Sequence, residues 1–106
     1  MGEPRITMAT REVLSAFLAK PAEEHYGLQV AEAAGLPGGT IYPILMRLER
    51  VGWLESRWED IDPQTEGRPQ RRYYRLSERG AQAATAALAK SARKQTFGLR
   101  PQGGAV

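Results

Sequence analysis

The stretch Gly39-Thr40-Ile41-Tyr42-Pro43-Ile44-Leu45-Met46-Arg47-Leu48-Glu49-Arg50-Val51-Gly52-Trp53-Leu54 decides how this chain is read. Ile41, Ile44, Leu45, Leu48 and Val51 recur at spacings of three and four, which puts them on one face of a helix. Pro43 fixes the start of that helix. Its missing amide is tolerated in the first turn and costly deeper in, so the helix is expected to begin near Gly39 or Thr40. Gly52 ends it. With Ile41, Leu45 and Leu48 inward, Thr40, Pro43, Met46, Arg47 and Arg50 lie on other faces and can meet solvent or a partner. Trp53 to Trp58 roughly alternates apolar and polar residues, as a half-buried strand does.

Working back from this helix, Leu36-Pro37-Gly38-Gly39-Thr40 is a tight turn. A second helix is expected over about residues 25–34, burying Leu28, Val30 and Ala31 and ending at Gly35, a position suited to a left-handed cap. A first helix fits roughly residues 9–20, with Thr7 or Thr10 as N-cap and Val13, Leu14, Phe17 and Leu18 as its stripe; Pro21 stops it. Residues 1–6 read as a frayed arm.

Working forward, Glu59 to Gln70 has the composition of a loop, and Arg71 to Leu76 reads as a returning strand in which Tyr73 or Tyr74 must face inward. Ser77 caps an alanine-rich helix over about residues 78–95. The last residues have Gly and Pro without periodicity and read as disordered. The order of helix, helix, tight turn, helix, hairpin and long helix predicts a mainly α fold with a β-hairpin wing. It reads as a winged helix-turn-helix domain over residues 9–76, a C-terminal helix over 77–95 and a tail over 96–106.

Composition excludes several classes. The 106 residues suffice for one domain, and the absence of cysteine rules out disulfides and thiolate metal sites. No apolar run approaches the ~18 residues of a membrane span, and the N-terminus has no charged-then-apolar pattern, so a cytoplasmic protein without membrane partners is expected. His25 is the sole histidine, the serines have no plausible base beside them, and no phosphate-binding glycine loop follows a strand. An enzyme is not expected, nor a cofactor or metal. Net charge is only +3, but it is uneven. Residues 1–36 carry five acids against three bases, whereas residues 77–106 carry five bases against Glu78 alone. A basic second half suits a polyanion.

The stretch quoted first, with its Gly-Thr-Ile-Tyr-Pro opening and Arg-Leu-Glu close, resembles the PadR family of bacterial transcriptional regulators. A second match lies in Gly67-Arg68-Pro69-Gln70-Arg71-Arg72-Tyr73-Tyr74-Arg75-Leu76-Ser77-Glu78-Arg79-Gly80, which resembles the family's second wing strand and the start of its last helix. The departures are Tyr26-Gly27, reversed from the family's usual Gly-Tyr, a short second helix, and Trp53 where leucine is common. The single short C-terminal helix is similar to that of the compact subfamily. The resemblance implies a sequence-specific, dimeric DNA-binding regulator, most simply a repressor on a palindromic operator.

The residues supply a physical basis for that implication. A major groove admits a helix, whose N-terminal residues reach base edges and whose free amides favour phosphate. Gly38 and Gly39 allow close backbone approach, and the Thr40 and Tyr42 hydroxyls can donate to phosphate. Gly39, Thr40, Tyr42, Pro43, Arg47 and Arg50 are therefore candidate DNA contacts; the alternative for Tyr42 is a half-buried core aromatic and for Arg47 an exposed cation paired with a nearby carboxylate. Glu49 reads as paired or structural. Arg68, Gln70, Arg71 and Arg72 are candidates on the wing; the acids Asp60, Asp62 and Glu66 on the same loop fit a solvated loop as well. Along the last helix, Ala81, Ala84, Leu88 and Ala92 form a small-residue stripe expected to pair with a second copy. Several of the compact members that this chain resembles bind flat aromatic molecules between two such helices, using aromatic side chains there. Here that helix has no tryptophan and only Phe97 nearby, which argues against an inducer pocket there. A protein-binding or RNA-binding winged helix remain the other readings, separable from DNA binding by salt dependence and substrate preference.

Overall fold

Thr7, not Thr10, starts the first helix. The computed structural model describes residues 5–90, and in it the Thr7 hydroxyl oxygen accepts the Thr10 amide at 3.1 Å to open α1 (Met8–Leu18). Val13, Leu14 and Phe17 are buried from this helix, and Thr10 is buried beside them. The second helix starts later than its composition suggests. His25–Tyr26 forms a short strand, β1, and α2 runs Gly27–Ala34. Its inner face is Gly27, Val30 and Ala31, spaced three and four apart, so Leu28 turns outward and is 58% exposed instead of buried. Gly35 closes α2 in the left-handed conformation, as expected.

The third helix, α3 (Gly38–Arg50), buries Ile41, Ile44, Leu45 and Leu48 in one stripe. It begins a residue or two before the expected start, so Pro43 sits in the second turn, beyond the first. The carbonyl left without a helical amide partner is that of Gly39, four residues back. Gly39 is exposed, so water can satisfy it.

The returning strands form more than a hairpin. β2 (Leu54–Trp58) and β3 (Arg72–Leu76) pair antiparallel with Leu54 opposite Leu76 and Trp58 opposite Arg72. β1 adds to the far edge of β3, with His25 opposite Tyr74, giving the order β1-β3-β2. This pairing is why the first two residues of the expected second helix are extended. Tyr74 is the inward tyrosine of the pair. The wing loop, expected to be irregular, contains a one-turn helix, α4 (Pro63–Glu66), capped by Asp62, which accepts from the Gln64 amide.

The last helix, α5, spans residues 78–90 of the described chain. The Ser77 hydroxyl caps it by accepting the Gly80 amide at 2.9 Å, while donating to the Gly52 carbonyl at 2.6 Å. Gly80 lies directly on the Trp53 backbone, where a Cβ would collide with the Trp53 carbonyl. Ala84 is wholly buried in the chain's own core, and Ala81 and Leu88 are partly buried against that core. The small-residue stripe thus first serves intramolecular packing, because small side chains let the helix lie close to the domain. The exposed positions are Glu78, Arg79, Gln82, Thr85, Ala86, Ala89 and Lys90. Ala92, the N-terminal four residues and the expected tail lie outside the described residues.

Candidate nucleic-acid interface

The outward face of α3 carries the first group of candidates. Gly39, Thr40, Tyr42, Pro43 and Arg50 are exposed, and Arg47 is half-buried. Tyr42 is therefore a surface residue, 49% exposed, and not a core aromatic. Its ring is seated on Gly27, where a Cβ would stand 2.6 Å from the ring edge. The glycine at the start of α2 thus lets the two helices meet through that tyrosine. Met46 is also exposed on this face. No cap side chain occupies the N-terminus of α3, since Pro37 precedes it; the Thr40 amide donates to the Pro37 carbonyl at 3.0 Å, and the amides of Gly38 and Gly39 remain available to an anion.

Glu49 is internally engaged, as expected: it accepts from the Ser56 hydroxyl on β2 and lies 3.5 Å from the Arg72 guanidinium. That holds its charge to the wing.

The wing is organised around Glu59. Both Arg68 nitrogens donate to its carboxylate, at 2.7 and 2.9 Å, and the Arg71 amide donates to it at 3.2 Å. These contacts, led by the Arg68 hydrogen bonds, hold the Glu59 carboxyl down at about 2. Arg68 therefore braces the wing, its guanidinium turned to an internal carboxylate. Gln70 donates to the Glu59 carbonyl at 2.8 Å and closes the same loop. Arg71 and Arg72 differ from Arg68. The Arg71 guanidinium stacks 4.3 Å from the Tyr26 ring centre and makes no ion pair among the described residues. Arg72 lies 5.0 Å from the ring centre of Trp58, which is 57% exposed.

The two groups converge. Tyr42 from α3 and Gln70, Arg71 and Arg72 from the wing line one cleft, together with Tyr26 and Trp58. Trp58 and Tyr26 were not singled out from sequence. Trp58 is the cross-strand partner of Arg72, a relation visible only once the hairpin register is known. Among the described residues no cluster of His, Cys, Asp and Glu could hold a metal ion, and no helix is long and apolar enough to cross a membrane.

Comparison with known proteins agrees with this architecture. The model of the transcriptional regulator PadR-like family matches residues 16–86, from the first helix through the wing into α5. The chain belongs to the PadR-like family. That family is one of transcriptional regulators, not of enzymes. Among solved structures, this PadR-like chain is similar to the PcaV transcriptional regulator of Streptomyces coelicolor in complex with its natural ligand. They share 29% identity and a TM-score of 0.70, with 95% of this chain and 66% of that one covered. It is similar also to smu.1704 of Streptococcus mutans UA159, at 26% identity and a TM-score of 0.67, covering 97% and 95% of the two chains. A PadR family regulator of Eggerthella lenta DSM 2243 shares the fold at 23% identity and a TM-score of 0.67, with 90% of this chain and 84% of that one covered. The chain spans 64–66% of the length of the PcaV structures and 65% of the regulator PA4135. No curated protein matches the sequence.

Proposed function

We propose that this PadR-like chain binds a palindromic DNA operator as a two-fold dimer and represses by occluding a promoter in the cytoplasm. The observation that carries the reading is that Tyr42, from the outward face of α3, and the Arg71–Arg72 pair of the wing line one cleft. A helix presented beside a cationic wing can enter a major groove while the wing meets the neighbouring backbone. Gly39, Thr40, Tyr42, Pro43, Arg47 and Arg50 supply the groove contacts in this reading. Arg71 and Arg72 supply the wing contacts, with Arg68 and Gln70 holding the loop in shape. The second copy covers the exposed face of α5. There the Thr85 hydroxyl donates back to the Ala81 carbonyl at 2.8 Å, which leaves its methyl and the alanines outward.

Selection of duplexes from a random pool tests the whole reading. The expected product is an inverted repeat with half-site centres about one turn, ~10 bp, or two turns apart. Arg47→Ala should then cost ~1–3 kcal/mol and relax one base position. Arg71→Ala should weaken all sequences alike and flatten the salt slope by about one unit. Inserting half a turn, ~5 bp, between half-sites should collapse affinity toward the non-specific level. Salt-insensitive binding, or no enriched duplex, would reject DNA as the partner.

A further inference from the structure

Helix α3 has a second stripe besides its buried one. Gly39, Pro43, Met46 and Arg50 follow one another at intervals of four, three and four, and all four are exposed. They lie opposite Ile41, Ile44, Leu45 and Leu48, and so form the crest of the helix, the line that stands farthest from the core. The middle of that crest is apolar. Met46 is 57% exposed, and Tyr42, four residues back, stands beside it at 49%. A single exposed apolar side chain is ordinary. Here Tyr42, Pro43 and Met46 are neighbours on one helix surface, and the described chain leaves all three exposed.

The charges flanking the crest define the partner that fits it. Arg47 and Arg50 lie next to Met46 and make no ion pair among the described residues. Glu49, the sole carboxylate of α3, is engaged by the Ser56 hydroxyl and the Arg72 guanidinium. A partner for this face is therefore anionic at its margins and apolar at the centre of the contact. A DNA major groove has that make-up. Phosphates line its rims, and the apolar group that its base edges present is the methyl at C5 of a pyrimidine. A thioether side chain suits that methyl: it is flexible enough to close on it and carries no donor for a base edge.

We propose that Met46 is a specificity-determining residue that reads the C5 methyl of one pyrimidine in each half-site, thymine in ordinary DNA or 5-methylcytosine where cytosine is modified. This role rests on the reading above that α3 enters a major groove, and it adds the base feature that the middle of the helix selects. Arg47 and Arg50 act through polar and charged groups, whereas Met46 discriminates by taking a methyl out of water. Burial of one methyl is worth about fourfold in affinity, and about sixteenfold over two half-sites. The discrimination is independent of salt, because no phosphate is neutralised by it.

A duplex selected from the random pool is the probe. Deoxyuridine replaces its thymines one at a time, which removes the methyl and leaves every hydrogen-bonding group of the base in place. Binding measured by anisotropy should weaken about fourfold at one thymine in each half-site, and about sixteenfold when both are replaced. That loss should disappear in Met46→Gln, which keeps the length and helix propensity of the side chain, and persist in Met46→Leu. Position 46 is exposed, so both variants should keep the parent's thermal stability. Their salt slopes should also equal the parent's. In a second arm, each cytosine is methylated at C5 in turn. Unchanged affinity there, with the deoxyuridine loss present, assigns the contact to thymine. A gain of about fourfold at one cytosine, absent in Met46→Gln, assigns it to 5-methylcytosine. Full affinity for every deoxyuridine duplex with no gain from methylcytosine, or an equal loss in the parent and Met46→Gln, would overturn the role of Met46 and leave DNA binding standing. Failure to bind any duplex would instead remove the DNA reading, and this role with it.

Discussion

Substituting Gly80 by alanine should destabilise the protein, although helix propensity alone says the opposite. In a solvent-facing helix, Gly→Ala is worth up to ~1 kcal/mol in favour of folding. At Gly80 the added Cβ would stand 2.6 Å from the Trp53 carbonyl carbon and 2.8 Å from its Cα, and nearer still to the carbonyl oxygen. The obstacle is backbone, which cannot swing aside as a flexible side chain can. Helix α5 would have to retreat until the contact reached about 3.4 Å, the onset of ordinary packing. The Ser77 bonds to the Gly52 carbonyl at 2.6 Å and from its amide to the Trp53 carbonyl at 3.0 Å would stretch with it. Overpacking of this kind costs ~1–3 kcal/mol, and each weakened hydrogen bond about 1 kcal/mol. Set against the propensity gain, the net is roughly 2 kcal/mol of destabilisation. For a domain of this size that lowers Tm by ~8–16 °C. Urea unfolding followed by tryptophan fluorescence measures it, with the exposed neighbour Gln82→Ala as a control expected within ~0.5 kcal/mol of wild type. A Gly80→Ala protein as stable as the parent would show that α5 is not pressed onto Trp53.

Other positions separate stability from function. Gly39→Ala meets nothing within 4 Å, so thermal unfolding should show a gain of ~0.4–1 kcal/mol. Its methyl would stand between the α3 backbone and a phosphate, so operator affinity by anisotropy should fall; unchanged affinity would place the phosphate elsewhere. Glu59 makes stability acid-sensitive in one direction. Its carboxyl falls from an ordinary 4.5 to about 2 in the folded protein, so its contribution is complete above 4.5 and lost as pH drops toward 2. The urea midpoint of Glu59→Gln should accordingly decline less than the parent's across that window, and parallel curves would contradict the role given to Arg68. On α5, Ala89→Glu and Ala86→Arg should give folded monomers in sedimentation, since both residues are exposed. Leu88 packs on the chain's own core, so a charge there would disturb folding and dimerisation together; a persistent dimer in both alanine variants would move the interface off this helix.

Legibility followed the range of the interactions involved. The three-and-four spacing of Ile41, Ile44, Leu45 and Leu48, the stop at Gly52, the left-handed cap at Gly35 and the Ser77 cap are all local, and each stands where its neighbours in sequence place it. The family was equally legible, because the motif from Gly39 to Leu54 is contiguous. Non-local pairing was not legible. His25 and Tyr26 have helical neighbours but are drawn into the sheet by β3, some fifty residues on, and only the closed hairpin can offer that edge. The same holds for the site. Arg68, Arg71 and Arg72 look alike in sequence, yet Glu59 captures the first while Tyr26 and Trp58 hold the other two as stacked cations.

Composition and periodicity by themselves determined the order of the main helices and the hairpin and the helix that faces outward, and the contiguous Gly39–Leu54 motif pointed to the regulatory family. Tertiary structure alone decided which face of α5 is available to a partner and which arginines remain free of carboxylates. The reason is physical: an alanine's burial and a guanidinium's partner depend on what the rest of the chain brings within a few ångströms, and a one-dimensional pattern encodes only what recurs within a turn or a strand.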